Sequence, residues 1–141
     1  MNLAFELPWR EIEMSVRLLL AALFGAGVGY EREHADKPAG LRTHILVSLG
    51  SALFTVVSLY GFGGTGDPAR VAAQIVTGIG FLGAGAILHM PNMVKGLTTA
   101  ASIWVTAAIG MAVGVGMYAM SFVTTIIVLV VLRLIKTRKD A

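Results

Sequence analysis

The chain contains no cysteine and few charged residues. The absence of cysteine excludes disulfides, thiolate metal sites and cysteine nucleophiles. Only 13% of the 141 residues are charged, whereas an ordinary soluble domain has about 25%. By contrast, 56% are hydrophobic, and the mean hydropathy is +0.79. This composition excludes disorder. A single domain of this length has no interior large enough for so much apolar sequence, so the expected solvent is a lipid bilayer.

Glycine is abundant, with 17 of 141 residues, against a background of roughly 7%. Glycine-rich apolar sequence is typical of closely packed membrane helices. The net charge is +3, but the basic residues lie in short connectors and in the tail. Such a distribution indicates membrane topology, and we predict no nucleic-acid partner.

Four runs without formal charge organise the chain, at residues 18–30, 43–66, 71–94 and 96–132. The last run has 37 residues, which as one helix would extend about 55 Å. Because the hydrocarbon core is about 30 Å thick, this run should form two spans with a turn near residues 114–118. The sequence therefore predicts one domain, an all-α integral membrane protein with a bundle of about five transmembrane helices. The predicted spans are 13–30, 43–61, 69–89, 96–114 and 118–135, with Arg17 snorkelling outward from the first.

The distribution of basic residues predicts the orientation. Connectors 31–42 and 90–95, together with the tail from residue 133, carry eight Lys and Arg residues. The N-terminal segment and connector 62–70 carry three. Because cytoplasmic segments are richer in Lys and Arg, we expect the N-terminus outside and the C-terminus in the cytoplasm.

Two segments, 61–66 and 78–83, match the pattern G-x-G-x-x-G. This pattern indicates a dinucleotide site only within a strand–turn–helix unit, and neither segment has that context. The first is interpreted as a flexible loop. In the second, small residues on two helix faces would let two neighbouring helices approach, so we expect the third span to be central in the bundle. The predicted packing residues are Gly78, Gly80, Gly83 and Gly85.

Polar residues near the span ends have both structural and functional interpretations. Asp67 followed by Pro68 is typical of a helix N-cap and first position; alternatively, Asp67, Arg70 and Gln74 form a polar entrance. The connector 30–44 is either a solvated turn or a functional segment. His44 lies at its end, where protonation could couple to nearby charge.

Span four carries a polar stripe at Thr99, Ser102 and Thr106, which indicates hydrogen bonds between helices or a polar pathway. No catalytic or metal-binding motif occurs, so we predict no enzyme activity, catalytic residue, metal site or cofactor. The candidate polar functional cluster comprises Glu31, Arg32, Arg42, Asp67, Arg70, Gln74, Lys95, Thr98, Thr99 and Ser102.

Three segments in order resemble the signatures of the MgtC/SapB family: GYEREHADKPAGLRTH at 29–44, DPARVAAQIVTGIGFLGAG at 67–85 and GLTTAASIW at 96–104. The resemblance implies a multi-pass protein of the bacterial inner membrane with about five spans. It also implies links to growth at low magnesium, to survival inside host phagocytes and to restraint of the F-type ATP synthase and the membrane potential. Members tend to carry a C-terminal soluble domain, which this chain is expected to lack as a short form.

Two functions are compatible with the resemblance. The first is a regulator in adaptation to low magnesium that controls ATP synthase activity or membrane potential through helix–helix contacts. The alternative is a small channel or transporter for Mg²⁺ or protons, with a polar route between helices. The expected partners are membrane lipid, a second copy of the chain as a dimer, and the membrane sector of the ATP synthase.

Overall fold

The computed structural model describes the backbone of residues 3–62, 67–91 and 93–135 and, except at residues 3–7 and Pro68, their side chains. Five helices confirm the predicted all-α class. Within the described residues, segment 8–34 of the first helix, the second helix and the fourth are long and apolar enough to cross a membrane. The elements are α1 (Leu3–His34), α2 (Leu41–Tyr60), α3 (Pro68–Gly85), β1 (Leu88–Met90), β2 (Met93–Lys95), α4 (Leu97–Val115) and α5 (Tyr118–Leu134).

The turn predicted inside the last charge-free run is confirmed. Helix α4 ends at Val115, and α5 begins at Tyr118. Gly116 between them has φ +98°, and the amide of Met117 donates to the carbonyl of Ala112 at 2.8 Å. A residue in the left-handed region after a helix closes its last turn, and glycine adopts that conformation without strain.

The third predicted span is too long at its C-terminal end. Helix α3 stops at Gly85, and the chain continues into an antiparallel hairpin in which Leu88 pairs with Lys95. Pro91 in the hairpin cannot continue a helix. Gly96 has φ +92°, and a Cβ there would overlap the carbonyl oxygen of Ala86. Of the predicted loop 61–66, residues 63–66 lie outside the described part of the chain.

Helix α2 lies between α1 and α4, and its backbone touches both. On α1, a Cβ at Gly25 would lie 2.5 Å from the carbonyl oxygen of His44, and one at Gly29 would lie 2.7 Å from Leu41 Cα. On α4, a Cβ at Gly110 would overlap the Ser48 carbonyl. Glycines four residues apart thus let both helices approach the α2 backbone.

The prediction that the third span is central is wrong. A Cβ at Gly78, Gly80 or Gly85 would meet nothing within 4 Å, and one at Gly83 would make an ordinary contact with Ala100. Phe81 on α3 is 82% exposed. Small residues permit close approach but do not create a partner surface. In this chain, α1 and α4 provide the helix faces that fit α2, and α3 lies at the periphery.

The prediction that Arg17 snorkels outward is also wrong. Its guanidinium is buried, donates to the Gly114 carbonyl at 2.7 Å and pairs with Glu13 at 2.5 Å. It also lies 5.6 Å from the ring centroid of Tyr60. The last carbonyls of a helix lack partners within the helix and carry partial negative charge, so the end of α4 attracts this cation. The expected Glu13–Arg17 pair is present.

Side-chain exposure is distributed as in a membrane protein. Large apolar side chains such as Leu19, Phe54 and Phe122 are exposed, whereas many buried side chains carry hydroxyl or charged groups. In water, this arrangement would expose apolar surface and bury polar groups at a cost. In hydrocarbon, exposed apolar surface costs nothing. The distribution therefore agrees with the apolar helices in assigning the chain to a membrane.

Replacement of Gly110 by Ala tests the backbone contact between α2 and α4. We expect Gly110→Ala to lower the free energy of unfolding in detergent micelles by about 1–3 kcal/mol, because the new methyl group overlaps α2. The matched control is Gly80→Ala, because a Cβ at Gly80 would meet nothing within 4 Å. This substitution should raise the free energy of unfolding by up to about 1 kcal/mol, since alanine favours the helix more than glycine does. Equal effects of both substitutions on thermal unfolding would contradict the packing described here.

Candidate functional site: a polar seam between three helices

Buried polar side chains follow the contacts of α2 with α1 and α4, and we call this set the polar seam. On α2 they recur at intervals of four, three and four residues, and on α4 at intervals of three and four, so each set lies on one helix face. All are buried. The seam comprises Glu31, Arg32, His44, Ser48, Ser51, Thr55, Thr99, Ser102 and Thr106.

His44 lies at one end of the seam and is fully buried. Its Nδ1 is 2.9 Å from the Gly40 carbonyl oxygen, and its Nε2 is 3.1 Å from Ser102 Oγ. The same hydroxyl lies 2.8 Å from the carbonyl oxygen of Thr99. His44 therefore links the turn before α2 to the first turns of α4.

The contacts of His44 accommodate two proton arrangements. With a neutral ring, Nδ1–H donates to Gly40, and the Ser102 hydroxyl donates to Nε2. With a protonated ring, both nitrogens donate, and the hydroxyl turns its proton to the Thr99 carbonyl. Either arrangement satisfies every group with only a rotation of the Ser102 hydroxyl. The hydrogen-bond geometry at this end of the seam is therefore compatible with either protonation state of His44.

A buried ion pair lies next to His44. Arg32 Nη1 is 3.4 Å from Glu31 Oε2, and both side chains are more than nine-tenths buried. They follow Gly29 on α1, where a Cβ would lie 3.0 Å from His44 Cβ. The pair is long for a salt bridge, and Arg32 Nε has no partner among the described residues. Burying charged groups is costly unless they are paired, so this pair is a candidate functional feature.

The turn between α1 and α2 fixes the start of α2, and with it the position of His44. Glu33 Oε2 accepts a hydrogen bond from the Leu41 amide at 2.8 Å, so a side chain of α1 caps the first turn of α2. A Cβ at Gly40 would lie 2.7 Å from the same carboxylate oxygen. A side chain at this position would displace the Glu33 carboxylate from its present place at the helix end.

The three segments that resemble family signatures meet at this end of the bundle. His44 and Ser102 join the first segment to the third by a hydrogen bond. Ile79 brings the second segment into an apolar cluster with Ala39 and Ile103. Residues far apart in sequence therefore form one packed site.

The seam continues toward the opposite end of the bundle. Thr55 donates to Ser51 O at 2.8 Å, and Thr106 donates to Ser102 O at 2.7 Å, each within its own helix. Arg17 closes this end at the last turn of α4. In the part of the chain that the structure describes, the buried side-chain atoms without a partner are Arg17 Nε, Arg32 Nε and Ser48 Oγ, all three along the α1–α2–α4 interface.

The predicted polar residues do not form one cluster. Glu31, Arg32, Thr99 and Ser102 come together in the seam. At the same end, three more are exposed: Arg42, Thr98 and Lys95.

The remaining predicted residues lie at the start of α3 and in its first half, outside the buried seam. Asp67, Arg70 and Gln74 are exposed. Asp67 accepts from the Ala69 amide at 2.9 Å, which confirms its role as an N-cap. Helix α3 is about 27 Å long. Its C-terminal end contacts Ala100 at the start of α4 through Gly83, so Asp67, at its N-terminal end, lies at the end of the bundle opposite to His44 and Ser102. A single polar route from Asp67 through Ser102 is therefore absent from this arrangement.

Sequence reasoning missed the central position of His44 and the contribution of Ser48. The spacing of His44, Ser48, Ser51 and Thr55 places them on one face of α2, and that pattern could have revealed them. The four-residue spacing of the glycines at 25 and 29, and at 110 and 114, was a second usable signal.

Comparisons with known proteins identify the family of the chain. The model of the MgtC family matches residues 18–140. The chain belongs to the MgtC family. The putative magnesium transporter YhiD of Escherichia coli K12 is 51% identical over 127 residues, which cover 85% of this chain and 59% of YhiD. Protein MgtC of Salmonella typhimurium LT2 is 46% identical over 114 residues, 81% of this chain and 48% of that protein.

This member of the MgtC family therefore spans about half the length of the curated relatives it matches. No solved structure matches the chain. The three segments at 29–44, 67–85 and 96–104 all fall within the matched region. Family membership and the apolar helices together identify a membrane protein.

A double-mutant cycle tests the bond between His44 and Ser102. We expect a coupling free energy of about 0.6–1.5 kcal/mol between His44→Phe and Ser102→Ala, measured from the free energies of unfolding. The control pair is Ser102→Ala with Thr77→Ala, because the exposed Thr77 bonds only to its own helix. That pair should be additive within about 0.5 kcal/mol. Additivity of the His44 pair would show that the two side chains do not interact.

Proposed function

We propose that the chain is a membrane regulator in magnesium homeostasis that acts through helix–helix contacts with a protein partner. The observation that carries this proposal is the backbone contact of α2 with α1 and α4. At Gly25, Gly110 and Gly114, even a methyl group would overlap or crowd the neighbouring helix. A magnesium ion keeps octahedral oxygen coordination and loses its waters reluctantly, so it cannot follow the seam in this conformation.

The ligands in the seam also argue against a magnesium route. Magnesium is held by carboxylates, water and phosphate in octahedral geometry. Glu31 is paired with Arg32, whose positive charge opposes a second cation. Within the described ranges, no three side chains of His, Cys, Asp or Glu are grouped as metal ligands.

The link to magnesium rests on membership of the MgtC family and on the similarity to YhiD, which is named a putative magnesium transporter. One surface open to a partner is on α3, where a Cβ at Gly80 or Gly85 would meet nothing within 4 Å. A neighbouring helix could approach this surface closely. Our first candidate partner is the membrane sector of the F-type ATP synthase, and a second copy of the chain is the other.

A specific observation favours transport as the alternative function. His44 accommodates two proton arrangements. In addition, the three unpartnered polar atoms are spread along the α1–α2–α4 interface. The distance from Arg17 to Arg32 along α1 is about 22 Å. Unpartnered buried groups often bind water. Under this alternative, the moving species is a proton or a small cation, and the seam would have to open.

Flux measurements on the purified chain in liposomes separate the two functions. We expect neither Mg²⁺ flux, read with an enclosed magnesium-sensitive dye, nor proton flux, read with a pH-sensitive dye, to exceed that of empty liposomes. Flux above that background would overturn a purely regulatory function. Asp67→Ala and Arg70→Ala, measured alongside, show whether such a flux depends on the start of α3.

A matched pair of variants tests the seam in the same assay. The variants are His44→Phe in the seam and Thr98→Ala, whose side chain is exposed. If proton flux disappears in His44→Phe but persists in Thr98→Ala, the chain is a transporter rather than a regulator. In cells, a photoreactive residue at Gly80 should crosslink to a membrane subunit of the ATP synthase or to a second copy. The absence of both products would contradict a partner at α3.

We also propose a multi-pass arrangement in the bacterial inner membrane, with the N-terminus outside and the C-terminus in the cytoplasm. The excess of Lys and Arg in connectors 31–42 and 90–95 and in the tail supports it. Alkaline phosphatase, which is active only outside the cytoplasm, should be active when fused after residue 62 and inactive after residue 141. Fusions of green fluorescent protein at the same positions should give the reciprocal pattern. The reversed result would overturn this orientation.

A further inference from the structure

A groove with a volume of about 420 Å³ opens between α2 and α3. Apart from Ser51 and Gln74, its lining is apolar or glycine. Two of its lining residues are Gly50 and Gly78, where a Cβ would meet nothing within 4 Å. The groove thus owes part of its width to two missing side chains. In a membrane, apolar walls of this kind are covered by hydrocarbon rather than by water.

The length of the groove favours an acyl chain over a protein helix. On α3, the lining runs from Val71 to Leu82, a rise of about 16 Å. This is close to half the hydrocarbon thickness of about 30 Å, so it fits the chain of a lipid from one leaflet. A transmembrane helix would require contact along the whole thickness. Toward the end away from Val71, the lining residue Ile79 packs into the apolar cluster with Ala39.

Charged residues of both signs lie next to the groove lining at the start of α3. Arg70 directly precedes the first lining residue of α3 and is exposed. Asp67, three residues earlier, is also exposed, and its Oδ1 accepts from the Ala69 amide. Guanidinium groups bind phosphate well, and a carboxylate attracts an ammonium group.

We propose that this groove binds one zwitterionic phospholipid with an amine headgroup. One acyl chain lies between α2 and α3, the phosphate contacts Arg70, and the ammonium group contacts Asp67. This inference is independent of the regulatory function proposed above, because the lipid lies between α2 and α3, on the side of α3 that carries Gly78, whereas Gly80 is not part of the groove lining. The occupant comes from the surrounding bilayer leaflet.

Native mass spectrometry of the full chain in detergent, titrated with phosphatidylethanolamine or phosphatidylglycerol, tests the proposal. The wild-type chain should retain one phospholipid and prefer phosphatidylethanolamine. The double variant Gly50→Leu/Gly78→Leu fills the groove and should lose retention. The control Gly80→Leu adds the same side chain to α3 outside the groove lining and should retain lipid as the wild type does. Equal retention by the double variant and the control would overturn the proposal.

Two further variants test the headgroup contacts. Arg70→Gln should weaken the binding of both lipids about tenfold, as expected for loss of one charge-assisted hydrogen bond. Asp67→Asn keeps an N-cap residue and should abolish only the preference for the amine headgroup. An unchanged preference in Asp67→Asn would overturn the assignment of the headgroup. Thermal unfolding confirms that each variant is folded.

The same variants distinguish lipid from the other possible occupant, a protein helix. If Gly50→Leu/Gly78→Leu abolishes crosslinking to a membrane protein while lipid retention is unchanged, the groove is a protein-docking site and the lipid proposal is wrong. If lipid retention falls while crosslinking at Gly80 persists, the lipid proposal holds. Failure of the regulatory function alone would leave lipid retention unaltered.

Discussion

The backbone contact of α2 with α1 and α4 is the constraint on which the rest of the structure depends. Four glycines, at positions 25, 29, 110 and 114, remove the side chains that would hold these helices apart. In a bilayer, association of helices gains little from burying apolar surface, because lipid is equally apolar. Close packing and hydrogen bonds must supply the attraction instead. The approach of the backbones provides the packing and also brings the hydroxyl groups of α2 and α4 into the same interface.

The polar seam follows from this contact. A buried hydroxyl in hydrocarbon needs a hydrogen-bond acceptor, and Thr55 and Thr106 find one on their own helices. His44 is different, because its imidazole joins α2 to Ser102 of α4. Arg17 secures the other end by bonding to the last turn of α4. The three central helices are thus connected near both ends, whereas α3 has apolar contacts and a groove beside it.

Much of the fold was predictable because hydrophobic length and charge are local properties of a membrane sequence. The five helices and the turn at Gly116 follow from the length of charge-free runs relative to bilayer thickness. Asp67 as an N-cap follows from side-chain chemistry alone. The central helix was not predictable in this way. The density of glycines indicated that α3 is the central helix. Whether a glycine makes a close helix contact, however, depends on the helix face that lies opposite to it.

The candidate site was only partly predictable for a related reason. Ser102 and Thr99 were identified from the polar stripe on α4, yet Asp67 and Arg70 were grouped with them only because all are polar. Sequence spacing places residues on one face of one helix, but not on facing surfaces of two. Arg17 shows the same limit. The length of its side chain would have let it reach the membrane surface, and the end of α4, 97 residues away, offered a closer acceptor.

The position of α2 determines how the two candidate surfaces of this MgtC family member relate to each other. Ser51 belongs to the polar seam by burial, and it also lines the groove beside α3. Val47 is shared in the same way, since it lines the groove and packs with Ile79 near the His44 end. One helix therefore separates a hydrogen-bonded interior from an apolar outer groove by a single layer of side chains. Ser51 and Val47 are therefore the side chains through which the packing of the groove and the packing of the seam are in direct contact.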